Sequence, residues 1–278
     1  MLVLGDLRIH LVRAGVYYWD GGAFFGVVPK TLWSRRVACD EANRIAAGFN
    51  CYLIETGARN ILIETGGGDR HDDAARQRMS LAPETGLLPA ALLAEGFRPE
   101  QIDLVINTHL HWDHCGGNTV GEGEAAFPNA EYVTQRGEWE YAHTRHPRDA
   151  VSYRDINYDA LVRRGQMRLV SGDVEIAPGI HLEVVPGHNR DMMTVRAVSG
   201  GETFCLLADL VPTVVNLQPT WVAAFDLFPV TTIESKARVL RQAADQQWWC
   251  GFGHDQGVGF AKISYDAGGR YTAHETLI

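Results

Sequence analysis

Long apolar runs are missing from this 278-residue chain. No segment reaches the roughly 18–20 apolar residues that a membrane helix requires. The opening MLVLGDLRIH meets Asp6 and Arg8 too early for a secretory apolar core, so a cytoplasmic protein without membrane attachment is expected. Basic clusters are missing as well. Net charge is −9, and the densest basic group, Arg145, Arg148 and Arg154, is interleaved with acids and aromatics. A nucleic-acid backbone would meet repulsion over most of such a surface, so nucleic acid is not expected as a partner. Cysteine is scarce: five residues, an odd number, with no CxxC pair. That argues against a disulfide framework and against a Cys-rich structural zinc site. Cys51, Cys205 and Cys250 lie in apolar runs and read as buried thiols. No Pro/Ser-rich linker, block of like charge or short repeat interrupts the chain, and a single domain over residues 1–278 is expected.

What is present alternates between strand and helix patterns. FNCYLIET (49–56) and RNILIET (59–65) read as a hairpin turning at Gly57-Ala58. GLLPAALLAEGF (86–97) reads as a helix, and IDLVINT (102–108) as a buried strand. EYVTQ (131–135) is a further strand, followed by a helical insertion running from 138 to about 164. Four strand patterns occupy 167–209. TTIESKARVLRQAADQQ (231–247) is the clearest amphipathic helix, with Ile233, Ala237, Leu240 and Ala244 at helical spacing and Thr231 or Thr232 as the expected cap. Strand pairs followed by a helix in both halves suggest two packed sheets with helices outside, in one α/β domain.

The chemistry concentrates in THLHWDHCGGN (108–118), which holds His109, His111, Asp113 and His114. The stretch leaves an apolar strand at its carboxyl end, where α/β folds usually present their sites. An extended His-x-His directs both imidazoles to one side, and the turn that follows brings in Asp113 and His114 from a neighbouring direction. Two adjacent ligand clusters suit two metal ions rather than one. Two ions need more than four ligands. Downstream, three apolar strands end in a polar residue: HLEVVPGH at His188, FCLLAD at Asp209 and WWCGFGH at His254. Each alone reads as a core or capping residue; with the first motif they complete five histidines and two aspartates.

This order, HxHxDH, then His188, Asp209 and His254, resembles the metallo-β-lactamase superfamily over essentially the whole chain. The resemblance implies an αββα sandwich. It implies that His109, His111 and His188 hold one metal, that Asp113, His114 and His254 hold the other, and that Asp209 bridges. The stretches DGGAFFGVVPKTLW (20–33), DLVPT (209–213), WVAAFDLFPVTTIESK (221–236) and GHD (253–255) are similar to bacterial quorum-quenching lactonases of this fold, some of whose relatives hydrolyse organophosphate triesters. Common β-lactamases carry Cys where this chain has Asp209, and the nuclease branch carries a further domain and a basic groove. Thioesterases of the glyoxalase II type usually carry a late pattern of basic residues that GRYTAHETLI does not show. Two departures from the better-known acyl-homoserine lactonases stand out: Pro212 replaces a Tyr, and Asn189 replaces a Thr. A phenol acting on the leaving group would then come from elsewhere, with Tyr153 and Tyr158 as candidates, or the metals would act alone.

The expected activity is therefore opening of a lactone by a hydroxide shared between two divalent ions, with Asp113 orienting the hydroxide or shuttling its proton. Zinc is the expected metal, with iron, cobalt and manganese accepted by the same ligand types. The alternatives are a phosphotriesterase, another ester or thioester hydrolase, and a non-enzymatic protein stabilised by metal. Phe24 and Phe25, in an aromatic and glycine-rich stretch, are read as an apolar lid over an acyl chain or as a dimer contact. Trp112 is read as either lining the substrate pocket or packing under the metal loop. A homodimer is implied by the resemblance alone. Cys115 reads as a packed small residue, and His143 and His146 as a solvated helix face.

Overall fold

The expected hairpin forms, and it leads the chain toward the histidine motif. The structure, a computed structural model, describes all 278 residues. The chain divides into two compact units, Met1–Tyr17 with Phe49–Val174, and Tyr18–Gly48 with Glu175–Ile278.

The first sheet contains β1 (Leu2–Leu4), β2 (Leu7–Asp20), β3 (Arg44–Glu55), β4 (Asn60–Ile63) and β5 (Leu104–Ile106). A short side hairpin, β6 (Thr119–Val120) with β7 (Glu124–Ala125), precedes its last two strands, β8 (Glu131–Gln135) and β9 (Met167–Val170). The strand order is β1-β2-β3-β4-β5-β8-β9. β3 and β4 pair antiparallel, with Tyr52 opposite Ile63, and β4, β5, β8 and β9 run parallel. Leu104, Val105 and Ile106 are fully buried. A central parallel strand covered on both faces reads as an unbroken apolar run, which is why IDLVINT was legible. The helix expected at 86–97 spans Leu88–Ala94, with Pro89 in its first turn. The expected insertion is broken into a helix at Arg136–Ala142, two single 3₁₀ turns and a helix at Asp159–Arg163.

The second sheet contains β10 (Val174–Ala177), β11 (Ile180–Val184), β12 (Met193–Ser199), β13 (Glu202–Leu206), β14 (Trp249–Gly251), β15 (Phe260–Tyr265) and β16 (Tyr271–Leu277), ordered as numbered. All resolved pairings are antiparallel except β13 with β14, which are parallel and joined through the helix Pro229–Asp245. That helix packs Val239, Leu240 and Ala243 into a core with Val185, Leu207, Trp248 and Phe252. Each such large side chain contributes on the order of 1.5–3 kcal/mol through burial.

Two details of this helix differ from the sequence reading. Pro229 opens it after Phe228, with no side-chain cap, because proline tolerates the first turn without an N–H. Thr232 lies one turn inside instead. The buried face is Thr232, Ser235, Lys236, Val239, Leu240, Ala243 and Ala244, and Ala237 is exposed. A polar stripe thus occupies part of the expected apolar face. All five cysteines are free, and Cys205 and Cys250 pair as neighbours on β13 and β14. No helix is long and apolar enough to cross a membrane.

Candidate metal centre

In the first unit, β5 delivers the chain to His109. The backbone stays extended to His111 and then turns into a short helix, Trp112–Cys115, with the amides of His114 and Cys115 bonded to the His111 carbonyl at 3.0 and 3.1 Å. This geometry gathers three buried imidazoles. The rings of His109 and His111 lie 4.7 Å apart, and those of His109 and His114 lie 4.0 Å apart. Asp113, half-buried, places Oδ2 3.7 Å from His114 Nε2. The loop holds its place through backbone contact. A Cβ on Gly116 would sit 2.2 Å from the Gly67 carbonyl oxygen, and one on Gly68, at φ +69°, would sit 2.3 Å from the Gly116 oxygen. Only glycine permits that approach.

A buried carboxylate that sequence reasoning missed, Glu64, sits behind these histidines. It accepts bonds from the Thr108 amide and hydroxyl and lies 3.3 Å from His114 Nδ1. The Thr108 hydroxyl spends its proton on Glu64, so it accepts from His109 Nδ1–H at 3.0 Å. His109 and His114 therefore both turn Nε2 away from Glu64. The ligand atoms of Glu64, His109 and His114 fall within 4.8 Å of one another. Glu64 occupies φ +64°, a left-handed position that costs a side-chain-bearing residue on the order of 1 kcal/mol or more.

In the second unit, Asp209 stands between two histidines. Its Oδ2 lies 3.4 Å from His188 Nε2, and its Oδ1 lies 3.0 Å from His254 Nε2. Each imidazole is fixed from behind. His188 Nδ1 bonds Asp226 Oδ1 at 3.0 Å, and Asp226 Oδ2 accepts from Thr232 on the long helix at 2.8 Å. His254 Nδ1 donates to the Gly48 carbonyl at 2.8 Å, and its amide donates to the Pro212 carbonyl at 3.0 Å. Ala208, directly before Asp209, takes φ +47°. Asp226 also escaped the sequence reading. It lies 38 residues from His188, and no local pattern marks it.

The donors fit a divalent metal. Buried neutral imidazoles whose Nδ1 is tied to an outer acceptor present Nε2 as a metal ligand, the usual arrangement at such centres. A carboxylate with one oxygen facing each of two imidazoles suits a bridging role. Without a cation, the first unit would hold three imidazoles at ring-contact distances beside a buried carboxylate for no evident gain.

The residues read as pocket candidates, Phe24, Phe25 and Trp112, all make aromatic contacts. Phe24 and Phe25 are both buried within the chain, with 1% and 0% exposure. Phe24 meets Phe225 and His254 edge-on, at 5.6 and 6.0 Å, while Phe25 stacks on Trp33 at 5.1 Å. Trp112 packs under the loop against Phe49, Tyr17 and His71. His71 bonds the Gly67 carbonyl at 2.7 Å and receives Arg154, and burial pulls its pKa down. The hydroxyls of the two phenols considered as replacements at Pro212 both donate to carboxylates, and the Tyr153 ring lies 4.8 Å from that of His111. Tyr153 donates to the buried Glu138 at 2.9 Å, and Tyr158 donates to Asp155 at 3.2 Å. Burial raises both phenol pKa values. Cys115 is fully buried, donates to the Leu110 carbonyl and has its thiol pKa pushed up by burial, as a packed residue should. His143 is exposed and bonds Asp159 at 2.9 Å within the insertion.

Residues 48–254 match the family model of the Metallo-beta-lactamase superfamily, and the chain belongs to that superfamily. A probable metal-dependent hydrolase from Staphylococcus aureus superposes with a TM-score of 0.91 at 32% identity, covering 100% of both chains. A dizinc quorum-quenching lactonase, AidC, solved in complex with a product, superposes with a TM-score of 0.83 at 20% identity over 100% of this chain and 97% of its own, a likeness of fold alone. An N-acyl homoserine lactonase of Bacillus cereus is 30% identical over 148 residues, 50% of this chain and 54% of that protein. The chain thus spans about half the length of the curated relatives it matches. The fold is the mixed α/β fold of the superfamily.

Proposed function

We propose that the protein is a metal-dependent hydrolase that opens lactones of the acyl-homoserine type. His109, His111 and His188 would hold one divalent ion, Asp113, His114 and His254 a second, and Asp209 both. In this reading the two units serve one hydrolase domain. Bound there, divalent ions would lower the pKa of water and polarise an ester carbonyl. The chain's own groups do the rest. Glu64 and Asp226 hold the imidazoles in one tautomer and aim Nε2 inward. Asp113 is the carboxylate that accepts the proton and returns it to the leaving alkoxide. With Tyr153 and Tyr158 engaged, no phenol is assigned to that step.

The observation that carries this reading is Asp209, whose two oxygens face His188 and His254 while Asp226 and Gly48 tie those rings from behind. The names of the relatives favour a lactone over other esters. Zinc, iron, cobalt and manganese all suit these ligand types. We also place the protein in the cytoplasm, a compartment that suits five free thiols.

The test is a panel of acyl-homoserine lactones beside an aryl phosphotriester and a thioester, run on metal-analysed protein with Asp209→Ala as control. Lactone turnover that disappears in the control together with metal supports the reading. Two metals bound without lactone turnover defeats it, and turnover of the triester or thioester then identifies the ester class.

A further inference from the structure

Lys236 is a buried cation on the helix Pro229–Asp245, with 1% of its surface exposed. Its ammonium donates to three backbone carbonyls: Asn216, Gln218 at 3.0 Å and Trp221 at 2.9 Å. An ammonium has three protons, so the group is saturated by a single short stretch of chain. Asp226 is the carboxylate whose charge acts on it. Stripping an ammonium of water is unfavourable, and an unbranched apolar side chain would fill the same space without that penalty. The charge therefore does something that packing alone would not.

Residues 218–221 lie outside any helix or strand, and the ammonium bonds three carbonyls of 216–221, one of which, Gln218, also accepts the Trp221 amide at 2.9 Å. The same stretch is tied to the centre on several sides. Asn216 donates its side-chain amide to the Phe24 carbonyl at 2.9 Å and accepts from Thr213 at 2.7 Å. Phe24 lies edge-on against His254. The Val214 amide bonds Asp255, the residue after His254, at 2.9 Å, and Pro212 accepts the His254 amide. Between Asp209 and Asp226, the chain is thus anchored to His254 at one end and to Lys236 in its middle.

We propose that Lys236 is a positioning residue: by clamping the carbonyls of Asn216, Gln218 and Trp221 it fixes the segment 212–226, and through that segment it sets the placement of His254 and Asp209 as metal ligands. The inference rests on the hydrolase reading above. A merely structural lysine would lower stability when replaced and leave the metal sites as they are.

Lys236→Met keeps the length and apolar bulk of the side chain and removes the charge. Asn216→Ala cuts the link from the segment to Phe24 and leaves the three carbonyls in place. Both variants and the wild type are loaded with cobalt, and three quantities are measured: affinity by chelator competition, the visible cobalt spectrum, and amide hydrogen exchange of the metal-free protein over 212–222. Lys236→Met should exchange about tenfold faster in that window. Its weaker cobalt site should lose about tenfold or more in affinity, with a changed spectrum. Asn216→Ala should change the spectrum and affinity in the same direction by less. Faster exchange with wild-type affinity and spectrum overturns the proposal, and so does no change in any readout. If Lys236→Met does not fold, Asn216→Ala decides by the same criterion. Wild-type protein that binds no cobalt defeats the hydrolase reading itself, whereas cobalt-binding wild type with indifferent variants defeats only the inference about Lys236.

Discussion

Asp226 and Glu64 are charges carried into the interior, and each faces a histidine rather than water. Replacing Asp226 with Asn keeps the shape and weakens the acceptor behind His188. Metal affinity should fall about 10–100-fold while the fold is retained, as measured by chelator competition alongside circular dichroism. Lys236 gives a second prediction, in metal-free protein. Its folded pKa is pulled down to about 7 from the 10.5 of an exposed lysine, burial being the cause and Asp226 the opposing charge. Between those values the unfolded chain binds more protons than the folded one, so this residue makes stability rise with pH. Urea unfolding at about pH 7 and about pH 9 should show wild type gaining relative to Lys236→Met, and an equal response of the two proteins would contradict it. At this scale legibility follows sequence separation. His109, His111, Asp113 and His114 announce themselves because they share one loop. Glu64 and Asp226 act across 44 and 38 residues, and nothing local distinguishes them from ordinary surface acids.

The elements fall between those extremes. β5 was readable because a strand buried on both faces is apolar throughout. The hairpin of β3 and β4 was readable from two apolar runs and a glycine turn. The long helix was readable in extent and misread in detail: Thr232, Ser235 and Lys236 have the composition of a solvent face, yet all three are buried. Ser235 donates to the Pro186 carbonyl at 2.7 Å, two residues before His188. Ser235→Ala should therefore cost about 1–3 kcal/mol in urea unfolding, more than a surface serine would. Leu240→Ala, in the adjoining core, should cost about 2–5 kcal/mol. The glycine contact is less forgiving. Gly116→Ala forces a methyl to 2.2 Å from a carbonyl oxygen, so the loop must move, and the histidines with it. Loss of bound metal together with a lowered Tm is expected. Retention of both would mean that the backbone contact is slack.

Across the whole molecule, four of the proposed ligands lie in the first unit and three in the second. A ligand that binds only the folded state stabilises by mass action, about 4 kcal/mol at a thousandfold excess over its Kd. Chelation should lower Tm, and a divalent ion should restore it; a chelated protein that melts unchanged would count against bound metal. The family was legible from the ligand order, whereas the division into two units was not, because contacts rather than composition define it.

Ala208 has a further consequence. It bears a side chain at φ +47°, next to the Asp209 carboxylate. Glycine there would relax the backbone and, in the same stroke, free Asp209 to wander. Relief of backbone strain and a fixed Asp209 carboxylate therefore pull in opposite directions at residue 208.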